Sequence, residues 1–265
     1  MRLDFHLHTH CSDGALHPSE LLAAVRKSRL DHWAVTDHDT LAGWRALRGE
    51  AGLVPGVEVT SEVDGHEVHI VGLGIDPEDG AFAAFLAGIR GVRVARLGQL
   101  IAVLGESARL TVSDLGGGTA ESLSRYHLAK ALVTLGRAPH VSASFTDLIG
   151  DVHCAKLGLP PYPTPAATVA AIRAAGGVAI LAHPGLYGSV EAVAALLDHG
   201  LDGLETSHSN LNPELGLALR DLAEGRRLLE SCGSDIHWLG ARQPGDHRLD
   251  RERALPLLRA LRLAA

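Results

Sequence analysis

The sequence predicts an α/β fold, a parallel sheet or barrel built from repeated βα units and interrupted by a mainly helical insertion. Three observations lead there. Short apolar strands alternate with amphipathic helical stretches at both ends of the chain. From about Pro77 to Pro165 the strands stop and helical periodicity takes over. Histidines and aspartates fall at or just beyond the C-terminal ends of several strands, the face of a (β/α) barrel where polar groups gather.

Taken in order, residues 3–9 read as a strand, Leu3-Asp4-Phe5-His6-Leu7-His8. Residues 18–29 form a helix, with Pro18 in its first turn and Leu21, Leu22 and Val25 at helical spacing. Residues 32–37 give a second strand with Trp33 and Val35 on one face, and Thr40 caps a helix through Leu47. Residues 53–63 and 66–75 are strands joined as a hairpin at Asp64-Gly65. The insertion holds helices over 82–104, 125–135 and 145–149, with Gly116-Gly117-Gly118 and Pro160-Pro161-Tyr162-Pro163 as linkers. Alternation then resumes with helix 166–175, strand 178–182, helix 190–199, strand 204–207, helix 213–224, strand 228–232 and helix 251–261. The expected organisation is a barrel from 1–76 and 166–265, with 77–165 as a helical cap.

A chain of 265 residues, 46% hydrophobic, supports one large domain with a subdomain. Its net charge of −7 argues against passive binding to nucleic-acid backbones, although a bound cation can invert a local field. Cys11, Cys154 and Cys232 are odd in number and form no CxxC pair, which favours a reducing compartment over a disulfide framework. Neither a signal peptide nor an apolar run of membrane-span length is read, so a soluble cytoplasmic protein, monomer or homodimer, is expected.

The 16 histidines are many for this length. His17, His32, His66, His140, His199 and His247 fit helix caps, turns and loops. The others gather. His6 and His8 alternate on one strand face, with Asp13 shortly after. Asp37-His38, His183, His208 and Asp235-Ile236-His237 sit at other strand ends. Packing alone explains such a rim poorly, because buried unpaired polar groups are costly; a metal site explains it well. Glu58 lies inside the apolar strand Val57-Glu58-Val59. Alone it would be an outward-facing residue; beside these clusters it becomes a carboxylate bridging two cations, and His69 becomes a ligand rather than a core histidine.

His6-x-His8…Ser12-Asp13-Gly14, Thr36-Asp37-His38-Asp39, Gly56-Val57-Glu58, His69, Ala182-His183-Pro184 and Gly233-Ser234-Asp235-Ile236-His237 together look like the ordered motifs of the PHP (polymerase and histidinol phosphatase) family. The resemblance runs from Met1 to about Trp238. Leu73-Gly74-Ile75 and the helical insertion further resemble the stand-alone bacterial branch, which contains nucleotide phosphatases and 5′-end-trimming RNA exonucleases. The resemblance implies a distorted (β/α)7 TIM-like barrel with a trinuclear metal centre. His6, His8, Glu58 and Asp235 would hold the first metal; Glu58, His69 and His183 the second; Asp13, His38 and His237 the third. The mixed N/O donor set suits two to three divalent ions, manganese first, with iron or zinc as alternatives. Cys11 and Cys232 adjoin the motifs and pack beside them.

Metal ions would lower the pKa of a bound water from ~15.7 toward ~7 and absorb charge on the phosphoryl oxygens. Asp37 either orients a ligand or acts as an acid/base, and His10 and Asp39 support their neighbours. His208 is the candidate proton donor to the leaving oxygen, or else a plain loop histidine. Arg125-Tyr126-His127 opens an insertion helix where the resembling branch has a substrate-facing Arg-x-His. Arg125 and His127 are therefore candidates to hold a second phosphate, with Lys130 a weaker one. Tyr126 departs from the small or polar residue of that branch.

The expected function is a metal-dependent phosphoesterase that removes the 3′-phosphate of 3′,5′-bisphosphonucleotides and extends to 5′ ends of short RNA. The alternatives are a histidinol-phosphate phosphatase with a different cap, a non-catalytic PHP module associated with a polymerase, and a metallo-amidohydrolase. Intact ligands and the stop at Ala265 speak against the polymerase module, and Lys156 is no strand-borne lysine of the amidohydrolase kind. Aromatic residues make up only 4% of the chain, which favours a small nucleotide or short RNA held in a cleft over a long stacking channel, and no DNA duplex or membrane is expected.

Overall fold

A computed structural model describes residues 1–105, 110–240 and 242–264. Positions 106–109 of the expected insertion, and the expected barrel end at Ala265, lie outside the described residues. The strands are β1 (Leu3–Leu7), β2 (His32–Val35), β3 (Leu53–Val63), β4 (His66–Leu73), β5 (Val178–Leu181), β6 (Gly203–His208) and β7 (Leu229–Gly233). Among the described residues they form one seven-stranded sheet in chain order. Every pairing is parallel except those of β4, which runs antiparallel to both β3 and β5. The β3–β4 turn pairs Val63 with His66 across Asp64 (φ 50) and Gly65 (φ 81), the two left-handed residues of a tight hairpin. The sheet nearly closes on itself: His8 N donates to Ile236 O at 3.1 Å and Asp235 N to His6 O at 2.9 Å. The result is the distorted barrel that the family resemblance implies.

The surrounding helices are α1 (Pro18–Ser28), α2 (Ala42–Ala46), α3 (Gly80–Leu104), α4 (Arg125–Thr134), α5 (Val141–Ser144), α6 (Asp151–Cys154), α7 (Pro165–Ala174), α8 (Val190–Leu197), α9 (Pro213–Arg226) and α10 (Arg251–Ala260). Several begin where a short polar side chain caps the first turn and proline follows: Thr164 accepts from Ala167 N before Pro165, and Asn212 from Leu215 N before Pro213. His17 and His140 cap α1 and α5 through their own rings, as befits histidines outside the site. The short α5 and α6 were not foreseen, and residues 145–149 form a π-helical turn. Among the described residues, no helix is long and apolar enough to cross a membrane. The three cysteines are buried free thiols.

Burial divides α3 into stations. Phe82, Leu86 and Ile89 pack in the cluster that joins Val57, Val59, Ile70 and Leu181 to α7, α8 and α9. Leu97 and Leu100 belong to a separate cluster with Leu128, Leu132 and Ile149. Arg93 and Arg96 lie between, on the same buried stripe. Because Val57 and Val59 face the helices, strand alternation turns Glu58 to the opposite, inner face.

Candidate active site

Five imidazoles converge on Glu58, which is 1% exposed. Its Oε2 lies 3.2 Å from His6 Nε2, His8 Nε2 and His38 Nδ1. Its Oε1 lies 3.1 Å from His69 Nδ1 and 2.8 Å from His183 Nε2. Asp235 Oδ1 stands 3.2 Å from His8 Nε2 and 3.6 Å from His6 Nε2. Asp13 completes the other end, 3.3 Å from His237 Nε2 and 3.4 Å from His38 Nε2. All nine residues singled out as ligands thus fall in one cluster.

The backbone is bent to deliver them. β1 and β2 end two residues earlier than the sequence predicts, because the chain leaves the sheet where His8, Asp37 and His38 stand. His183 (φ 31) and Asp235 (φ 50) adopt left-handed backbone, which costs roughly 1–2 kcal/mol each for non-glycine residues. Neighbours hold both in place: His183 N donates to Glu205 Oε2 at 2.6 Å, and Asp235 N to His6 O. At Gly233 a Cβ would collide with the His6 side chain, so only glycine lets β7 approach β1 this closely.

Burial raises the pKa of Glu58, Asp13 and Asp235, but imidazoles outweigh it and hold all three well below the usual carboxylate range. His38, His6 and His69 do this for Glu58, and His38 and His237 for Asp13. In return the carboxylates overcome desolvation and lift His8 to about 10 and His69 to about 9, whereas burial keeps His38 well below its ordinary value. The cluster is a set of charged carboxylates sharing a few protons, and divalent cations compete with protons for such donors. The donors fit cations. Among the described residues, His6 Nε2, both ring nitrogens of His8, His38 Nδ1 and His69 Nε2 are buried without a properly aligned hydrogen bond. Donor atoms of His8, Asp13, His38 and His237 lie within 4.8 Å of one another, as do those of His6, His8 and Glu58 and those of His38, Glu58 and His69.

Of the two roles read for Asp37, its contacts support the orienting one. It lies outside this ring, accepting from Thr9 N (2.7 Å), Thr9 Oγ1 (2.6 Å) and Ser12 Oγ (2.7 Å). With its oxygens committed to the loop that carries Asp13, it braces that loop. Asp39 accepts from Thr60 N at 2.8 Å and from Arg93 Nε at 2.6 Å, which ties the segment after His38 to β3 and α3.

Glu205 escaped the sequence reading. It is buried, and its Oε1 takes the Nδ1–H of His6 at 2.9 Å, which turns His6 Nε2 toward Glu58. The available signal was weaker than for Glu58, a carboxylate in a short, largely polar strand three residues before His208. Replacing Glu205 by alanine is expected to cost ~10–100-fold in metal affinity or activity through misorientation of His6; a metal titration of the variant checks this.

His208 is buried beside His6, with Nε2 3.7 Å from Glu205 Oε2 and 3.9 Å from Asp235 Oδ2. Its Nδ1 accepts from Asn210 N at 3.3 Å, so the neutral ring carries its proton on Nε2, facing the cluster. Arg125 and His127 do not converge. Arg125 lines a cavity of about 140 Å³ together with Asp13, His38, His69, Arg93 and Tyr162. His127 accepts from Ser124 N at 3.0 Å, capping its own helix, and lines a different cavity with His10 and Lys130. Arg125 and His127 point different ways, as residues two apart on a helix do, and His127 stays within electrostatic range of Asp13. Arg93 and Arg96 join the Arg125 cavity, and the clue missed was two arginines at apolar positions of the α3 stripe.

No family model matches the chain. It is 35% identical over 251 residues to the 5′-3′ exoribonuclease Rnm of Salmonella typhimurium, covering 88% of this chain and 84% of the relative. It is 35% identical over 259 residues to the 3′,5′-nucleoside bisphosphate phosphatase of Chromobacterium violaceum, covering 89% and 87%. A solved structure described as a metal-dependent phosphoesterase from Bifidobacterium adolescentis superposes with a TM-score of 0.80 at 29% identity, covering 97% of this chain and 96% of that one. Similarity at this level, over nearly the whole length and on this barrel, establishes that the chain belongs to the PHP superfamily of metal-dependent phosphoesterases, in the branch of these two enzymes.

Proposed function

We propose that the protein removes the 3′-phosphate of 3′,5′-bisphosphonucleotides, and that the same chemistry serves the 5′ ends of short RNA. The observation that carries this reading is the adjacency of the Glu58 cluster to a cavity holding Arg125, Arg93 and Arg96. A bisphosphonucleotide and a 5′-phosphorylated RNA end present the same pair: a phosphoryl group on a 3′-oxygen, and a second phosphate at the 5′ position. The RNA reading has its own support in an open groove of about 720 Å³ that leaves His69 and His183 past Leu186 and Tyr187, space that a mononucleotide does not need.

In this reading His6, His8, Glu58 and Asp235 hold one divalent cation, Glu58, His69 and His183 a second, and Asp13, His38 and His237 a third, with manganese the first candidate by its N/O donors. The bound cations supply a nucleophilic water near neutral pH and neutralise the phosphoryl oxygens. Arg125 holds the second phosphate through paired N–H donors. His208 holds a proton at Nε2 for the departing 3′-oxygen. Residues 77–165 act as the cap that closes the cleft over the substrate. Buried free thiols suit a reducing cytoplasm.

The test is phosphate release by Mn-loaded protein from 3′,5′-bisphosphoadenosine, 3′-AMP, AMP and histidinol phosphate. The bisphosphate is expected to be preferred. Arg125→Ala is expected to cost ~10–100-fold in kcat/KM on it, the loss of one charge-assisted contact, and much less on 3′-AMP. Preference for histidinol phosphate, or equal losses on both nucleotides, would sink the assignment.

A further inference from the structure

Arg125 is held by two carboxylates of unlike character. Its Nη2 is 3.2 Å from Glu67 Oε1, and its Nη1 is 2.6 Å from Asp151 Oδ1. Glu67 belongs to the barrel wall. It is 18% exposed, with Arg96 Nη2 at 3.7 Å and His69 Nε2 at 3.9 Å. Burial opposes its charge, but His69 and Arg125 hold its carboxyl far below the usual range. Asp151 is 64% exposed, on the four-residue α6. Glu67 lines both the arginine cavity and the open groove, while Asp151 lines only the groove.

To a guanidinium, an aspartate and a phosphate are alike: each offers paired acceptor oxygens to the same N–H fork. They differ in charge. A phosphate monoester carries about −1.5 to −2 at neutral pH, against −1 for the carboxylate. An exposed ion pair is weak enough to be exchanged, whereas a buried one is not.

We propose that Asp151 is a specificity-determining latch, occupying the outer edge of the Arg125 guanidinium in the free enzyme and yielding it to the second phosphate of the substrate, while Glu67 keeps the inner edge fixed. This rests on the reading of Arg125 as the second-phosphate holder. Substrates without that phosphate leave the latch closed, so the cost of opening it falls on two-phosphate substrates alone and moderates the preference for them. Glu67 is a positioning residue, keeping Arg125 aimed beside His69.

The experiment compares Asp151→Asn, Glu67→Gln and Arg125→Ala in the Mn-loaded full-length protein, with steady-state kinetics on 3′,5′-bisphosphoadenosine and 3′-AMP. Asp151→Asn is expected to lower KM for the bisphosphate roughly two- to fivefold, the size of one exposed ion pair, with kcat and the KM for 3′-AMP little changed. Glu67→Gln is expected to move the bisphosphate KM upward. Opposite signs support the latch, since two merely structural carboxylates would both raise KM. If Arg125→Ala is selective for the bisphosphate but Asp151→Asn leaves its KM unchanged or raised, the latch is overturned and the phosphate-holding role of Arg125 stands. If Arg125→Ala penalises both substrates equally, both ideas fall.

Discussion

Replacing Glu58 by glutamine is expected to lower kcat by at least ~10³-fold and to strip most of the bound metal. Glutamine keeps the shape and removes the charge. The five rings around Glu58, all within 3.2 Å, then lose their shared anion, and the amide nitrogen puts a donor where cations need an acceptor. Metal stabilisation of a transition state is worth several kcal/mol, and each ~1.36 kcal/mol is a factor of ten in rate, which sets the size of the loss. The carboxylate is also among the groups that lift His8 and His69, so those rings will titrate lower in the variant. Elemental analysis of the purified variant alongside phosphate release checks the prediction. A variant that keeps stoichiometric metal and near-parental turnover would remove Glu58 from the centre of the mechanism.

Asp39→Ala is expected to be the most destabilising single change away from the cluster. Asp39 is 0% and Arg93 5% exposed, and their contact at 2.6 Å fixes α3 to the segment after His38. Breaking a buried pair from one side costs ~3–5 kcal/mol, because the other charge stays buried and unpaired. For a chain of this size that corresponds to roughly 10 °C in the unfolding midpoint. Asp39→Leu with Arg93→Met, which removes both charges, should recover much of the loss. Thermal unfolding of the three proteins under matched metal conditions decides it; an unchanged midpoint in Asp39→Ala would show the pair to be dispensable.

The inner ring was legible because β-structure obeys a two-residue period. His6 with His8, and Glu58 flanked by Val57 and Val59, announce one face without any tertiary information. The same rule should have set Asp37 apart from His38, since neighbours in an extended chain point opposite ways. It points instead to Thr9 and Ser12. Helical period likewise separates Arg125 from His127. Glu67, Glu205, Arg93 and Arg96 were harder. Each is a charged residue made tolerable by a partner far away in sequence, such as Glu205 with His6, and such pairings are tertiary facts. Strand ends were overshot where turning toward the site overrides β-propensity, and α5 and α6 are too short to show a period.

The reversed direction of β4 leaves the chain at the far end of the barrel, beside the start of β5, where Asp76 N donates to Ala175 O at 2.7 Å. From there α3 climbs the outside wall for 25 residues, about 37 Å at 1.5 Å per residue, and passes the rim. It therefore works as a measuring rod. Ile89 marks the wall, Arg93 and Arg96 the arginine cavity, and Leu97 the separate cluster shared with α4. Adding one residue between Ile89 and Arg93 would turn both arginines by about 100° and swing them off the cavity. Only insertions close to whole helical turns would return them to the same azimuth, and each would raise the Leu97 cluster by about 5 Å. The depth of the arginine-lined cavity in this scaffold can thus change only in steps, counted in turns of a single helix.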